Sequence, residues 1–317
     1  MRWIAIAAAA VGILGVLVLP VITSNYIVGF MFSMFLFLMM AYGWNLISGY
    51  TGYLSFGQIS FFGLGAYTMS ILVFRLHWPW PLAVLCGSVA AVILAAPLGW
   101  LMLRLRGPYF ALGMLGFVQV LFMIASAASS LTGGGEGIYL PPDASLQPLY
   151  YSAAAMVAAG ILTTWAVERS AFGLRLQGIR EDELAAEAMG VNTTRNKLAA
   201  FVLSAVFPAV AGGLYAWRLS YIDPTSAFPG QYEMQSILMT IFGGAGTIWG
   251  PLLGGVALSV MGEVIWARFA EVHLLLFGSL IVLVLLFMPE GVIPLVRRYL
   301  ARRGRQVHEP RPKKEVA

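Results

Sequence analysis

The chain has 317 residues, of which 60% are hydrophobic and 10% charged, and its formal net charge at pH 7 is +5. Soluble domains carry about 25% charged residues, so there are too few charges here to cover a water-facing surface. A soluble enzyme, a disordered chain and a disulfide-built secreted domain are excluded.

The predicted class is an all-α polytopic membrane protein. A helix needs about 20 apolar residues to cross a bilayer core. On that ruler about ten spans are predicted, at 3–22, 26–47, 56–74, 80–103, 108–128, 150–168, 198–217, 236–249, 251–267 and 273–289. The alternating ten-residue segments of a β-barrel are absent. In the first span Arg2 precedes an alanine-rich run reaching Ile22, and Thr23-Ser24-Asn25 is no small-x-small cleavage site. Residues 1–24 are therefore expected to form a retained N-terminal helix rather than a signal peptide. Residues 25–290 form the main transmembrane domain and 291–317 a basic tail. The third span is glycine-dense, and the eighth is too short to cross fully.

Lys and Arg placement sets orientation. With ten spans both termini share a side, and that side holds 16 of the 19 basic residues, leaving Arg75, Arg218 and Arg268 opposite. The termini, the 104–107 loop, the 169–197 loop and the tail are expected to be cytoplasmic. These charges meet anionic lipid; nucleic acid is not an expected partner. Trp78, Trp80, Trp100, Trp165 and Trp266, near span ends, read as interfacial aromatics.

The spans suggest an inverted repeat, 2–5 against 7–10, whose second members are both unusual. Ser48-Gly49-Tyr50-Thr51-Gly52 to Gln58 precedes span 3, which contains Gly63 and Gly65; span 8 ends in Phe242-Gly243-Gly244-Ala245-Gly246-Thr247-Ile248-Trp249-Gly250-Pro251. Paired glycine-interrupted segments point to a transporter's central pathway; tight helix packing is the other reading. Gln58, Ser60, Gly63, Tyr109, Gly243, Gly244 and Gly246 are the candidate pathway residues. Asn45 and Gln119 read as interhelical hydrogen-bonding groups, and Glu263 as an interfacial acid near Arg268. Arg218 and Glu233 read as solvated loop ends, with contact to a binding protein as the other reading. The Met31, Met34, Met39 and Met40 patch reads as lipid-facing or core filler.

No catalytic constellation is present. The Gly133-Gly134-Gly135 run lacks the Lys-Ser/Thr of a P-loop. His77, His273 and His308 are far apart, and Cys86 is the only cysteine. No enzyme activity, metal or cofactor is expected.

The loop 169–197, RSAFGLRLQGIREDELAAEAMGVNTTRNK, has the densest mixed charge. Acids from Glu181 to Glu183, then Leu184 to Met189, then Gly190 predict one helix of about eight or nine residues. Leu184 and Ala188 share one face and Glu183 and Glu187 another. Asn192 or Thr193 is placed to cap the next span. Such an amphipathic helix suits docking in another protein's groove.

Ala185-Ala186-Glu187-Ala188-Met189-Gly190 resembles the Glu-Ala-Ala-x-x-x-Gly coupling loop of ABC-importer permeases, with Leu184 at the usual Glu position. Gly49 to Gln58, Phe62-Gly63-Leu64-Gly65-Ala66-Tyr67, Leu105-Arg106-Gly107-Pro108-Tyr109-Phe110-Ala111-Leu112 and Gly243 to Pro251 resemble LivM-type permeases of branched-chain amino acid ABC importers, over about 25–290. The resemblance implies a bacterial inner-membrane subunit forming the translocation pathway by alternating access. It would work with a LivH-type permease, two cytoplasmic ATPases and a periplasmic binding protein. Glu183, Leu184, Ala185, Ala186, Glu187 and Gly190 would form the ATPase-coupling loop. Urea, amides or another small polar solute are alternative cargoes. A stand-alone transporter or channel would need intramembrane acids, and only Glu263 lies well inside a span.

Overall fold

The computed structural model describes residues 15–142, 145–268 and 278–279. Most of the first expected span, the tenth, the tail 291–317 and the side chain of Trp266 lie outside them. Residues 15–22 are helical (α1). Then follow α2 (Asn25–Trp44), continued by a π-type turn at Asn45–Gly49, α3 (Gln58–Leu76), α4 (Trp80–Met102) and α5 (Pro108–Ala127). A short α6 (Ser129–Thr132) and β1 (Ile138–Tyr139) lead to α7 (Leu146–Glu168), α8 (Ala171–Glu181), α9 (Glu183–Ala188) and α10 (Thr193–Leu219). The described chain ends with β2 (Tyr221–Ile222), α11 (Pro224–Ala227), α12 (Gly230–Gly243) and α13 (Gly250–Arg268).

Six of these helices are long and apolar enough to cross a membrane: α2 with its π turn, α3, α4, α5, α7 and α10. They match expected spans two to seven. The largest mismatch is the start of α10, at Thr193 rather than 198. Its first turn (Thr193-Thr194-Arg195-Asn196-Lys197) is polar, so a hydropathy ruler passes over it, while Asn192 caps it by accepting from Arg195 N. The eighth segment is a 14-residue helix starting at Gly230 instead of 236, because Gln231, Glu233 and Gln235 mask its apolar face. At 1.5 Å per residue it is about 21 Å long, shorter than the hydrocarbon core.

α10 is the central helix. It packs on α3, α4 and α2, while α2 also packs on α7 and α12 on α13. Its contact with α3 is backbone to backbone: a Cβ on Gly212 would fall 1.9 Å from the carbonyl oxygen of Phe62. Rings of Phe61, Phe110 and Phe201 interlock edge to face where α3, α5 and α10 meet. Pro208, inside α10, cannot donate to the carbonyl of Ser204, and Gly43 of α2 sits against both.

The two ends of the bundle differ. At one, α8 and α9 lie across the start of α10. At the other, β1 and β2 pair antiparallel with Ile138 opposite Ile222, and Asp223 caps α11 in a reciprocal capping box with Ser226. Near this second end a pocket of about 740 Å³ opens between α2, α10, α12 and α13, lined by Asn25, Tyr26, Tyr215, Arg218, Tyr232 and Glu263 among others. Glu263 accepts from the Tyr26 hydroxyl, not from Arg268.

Candidate coupling and pathway site

The segment 169–192 forms two helices where the sequence suggested one. Asp182 breaks the run: its backbone is extended (φ −156°, ψ 110°) and its side chain accepts from Ala185 N at 3.0 Å. An aspartate before a helix is worth more as an N-cap than as an interior residue. Ser170 caps α8 in the same way, accepting from Gly173 N. Gly190, at φ +84°, ends α9, and the Val191 N–H closes back on Ala186 O at 3.0 Å.

The expected faces are present with a changed division of labour. Leu184 is 64% exposed and Met189 86% exposed, and Ala185 and Ala188 are exposed beside them. That face has no partner among the described residues, as a docking surface requires. Ala186 is buried against the bundle. Glu187 turns to its own loop and accepts from the Thr193 hydroxyl at 2.6 Å.

Glu183 points inward. Its Oε1 accepts from Lys197 Nζ at 2.5 Å and its Oε2 from the Tyr53 hydroxyl at 2.6 Å, while Lys197 Nζ also donates to that hydroxyl at 2.9 Å. Lys197 is only 2% exposed. Burial raises the Glu183 pKa, but the hydrogen bonds from Lys197 and Tyr53 outweigh it and hold the carboxyl below its ordinary range. This triad ties α9 to α10 and to the 50–57 crossover between α2 and α3.

Arg180, the penultimate residue of α8, reaches further. Its Nη1 donates to Gly49 O at 2.6 Å and to Ala245 O at 3.5 Å. Gly49 closes the π turn of α2, and Ala245 lies in the crossover after α12. One guanidinium therefore touches both glycine-rich breaks. Gly246 (φ +79°) allows this approach, since a Cβ there would fall 2.4 Å from Nη1. Asn45 joins the same two breaks, donating to Thr247 O at 3.0 Å and accepting from Gly246 N at 2.8 Å. Tyr42 adds a bond to Ile248 O at 3.1 Å.

The candidate pathway residues separate into groups. Gln58 and Ser60 are fully buried at the start of α3. Gly243 packs on Gly250 and Gly254, Gly244 (φ +119°) turns the chain out of α12, and Gly246 belongs to the Arg180 junction. Gly63 meets the ring of Phe228. Tyr109 is 71% exposed on α5. Gln119 is exposed as well. Glu233, expected in a solvated loop, is instead 3% exposed in the first turn of α12, and its Oε1 accepts from Gln58 N at 2.8 Å.

A family model described as "Branched-chain amino acid transport system / permease component" matches residues 26–285. The chain belongs to this family. The permease is 29% identical over 307 residues to the high-affinity branched-chain amino acid transport system permease protein LivM of Salmonella typhimurium, covering 86% of this chain and 71% of that one. It is 25% identical over 281 residues to LivH of the same organism, covering 80% and 90%. The fructose import permease protein FrcC of Rhizobium meliloti is 27% identical over 219 residues, covering 62% and 59%. No solved structure matches the permease. Arg180, Lys197, Tyr53 and Glu233 carry no local sequence signal; each acts across more than ten positions of chain.

Proposed function

We propose that this permease forms one half of the translocation pathway of an ATP-driven importer for branched-chain amino acids, with a LivH-type permease as its second half. Two cytoplasmic ATPases drive the pair, and a periplasmic binding protein delivers the solute. The chain lies in a bacterial inner membrane with about ten spans and both termini cytoplasmic. Residues 169–197 form the coupling loop, with Leu184, Ala185, Ala188 and Met189 as its outward face. The observation that carries this reading is Arg180, whose one guanidinium bonds Gly49 and Ala245 in the two broken segments. A motor that shifts α8 and α9 displaces both breaks together, which is the differential contact a two-state pump needs.

In the inverted repeat, α3 and α12 are the second members of the two units, and they meet first turn to first turn. The likeness to a fructose permease favours a second cargo reading, a small polar solute chosen by the binding protein.

The test is uptake by proteoliposomes holding the permease with its co-expressed partners. Arg180→Ala is expected to cut ATP-driven uptake at least tenfold while ATP hydrolysis continues. Unchanged uptake by that variant, or uptake by this chain with no ATPase, would overturn the reading.

A further inference from the structure

The α3–α12 junction holds a carboxylate with no cation. Among the described residues the one ion pair is Lys197–Glu183. Glu233 is instead held by the amide N–H groups of Gln58 and Ile59, at the positive end of α3. A carboxylate buried among membrane helices is costly, so a purely structural contact here would be better made by apolar side chains.

The surroundings are unfinished too. Ser55 Oγ, Gln58 Oε1 and Ser60 Oγ are fully buried and have no hydrogen-bond partner. Each unsatisfied buried group costs about 1–3 kcal/mol, and three within six residues of one helix start is far above the usual density. Such a cluster makes sense if another state of the molecule wets it.

α12 joins this cluster to the coupling loop. It is a 14-residue rod with Glu233 in its first turn, and just past its other end Ala245 accepts from Arg180. Arg180 and Glu233 therefore sit at opposite ends of this one helix.

We propose that the α3–α12 junction is a gate on the solute path, that Glu233 is the positioning residue that latches it, and that Gln58 and Ser60 line the path when it opens. The assignment rests on the transport reading above and adds to it the place of the barrier. Along the chain the gate lies beside the pocket of about 740 Å³, whose wall includes Tyr232. The ring of Phe62, two residues after Ser60, packs against Tyr215 and Tyr232 of the pocket wall.

The test uses the whole complex in proteoliposomes. Ser60→Cys is placed in a Cys86→Ser background and exposed to a hydrophilic maleimide on both faces. Labelling is expected to be slow at rest and at least tenfold faster during ATP turnover. Adding Glu233→Gln is expected to raise the resting rate at least threefold, with Glu233→Asp intermediate. Equal labelling in both states, or no change on adding Glu233→Gln, overturns the gate. If Glu233→Gln fails to assemble, the turnover dependence of Ser60→Cys decides alone. Amino-acid uptake by the parent complex is measured in the same vesicles. Loss of uptake with state-dependent labelling retained would sink the cargo reading and leave the gate standing.

Discussion

Glu183 and Glu233 are both carboxylates turned into a helical bundle, and the permease satisfies them by different means. Glu183 has a lysine and a tyrosine, and its side chain keeps 17% exposure. Glu233 has two backbone amides and almost no exposure. A side-chain pair welds its elements together, because either partner alone would be left as an uncompensated charge. A carboxylate resting on backbone amides can leave without stranding an opposite charge. The first arrangement suits a part that moves as a unit, α9 with the start of α10. The second suits a contact that opens.

The most damaging break in this comparison is Lys197→Met. It leaves Glu183 facing the bundle without its cation, at a cost of about 3 kcal/mol, the low end for a buried pair because Glu183 is partly exposed. It is expected to give the largest fall in the thermal unfolding midpoint of the purified complex, and Glu183→Leu added to it is expected to recover part of that fall. Glu233→Gln keeps an acceptor for Gln58 N and removes the ionisable group, at a cost of about 1–2 kcal/mol. A midpoint shift smaller than that of Lys197→Met, with gating altered, is the expected outcome; a larger shift would reverse the comparison.

Asp182→Ala removes the α9 cap and is worth about 1 kcal/mol of local helix stability. Hydrogen exchange of the Ala185 and Ala186 amides is expected to quicken severalfold with little change in the global midpoint. The smallest effect concerns pH. The folded-state pKa of Glu183 lies below its ordinary value, so its stabilisation is fully present above the ordinary carboxylate range. It is lost as pH falls through the lowered value. As pH falls through and below the ordinary carboxylate range, the parent complex is expected to lose thermal stability more steeply than Lys197→Met, whose Glu183 no longer has the lysine that lowers its pKa.

Much of the scaffold was legible in the sequence because membrane helices write themselves locally. Residues 80–103 and 108–128 were expected as spans, and helices run over Trp80–Met102 and Pro108–Ala127. Asn192 and Gly190 were readable as cap and stop because those roles depend only on the neighbouring backbone. Asp182 shows the limit of that reading, since a run of three acids gives no sign of which one breaks the helix.

The amino-acid order alone established an α-helical membrane protein, the position of its central helices and a short amphipathic segment between α7 and α10, since hydropathy and capping are properties of adjacent residues. Only the packed structure decided that Arg180 holds the Gly49 carbonyl, 131 positions away, and that Glu233 sits on the first amide of α3, 175 positions away. Such pairings arise from how helices cross. Nothing in either local stretch encodes the residue that will come to rest against it.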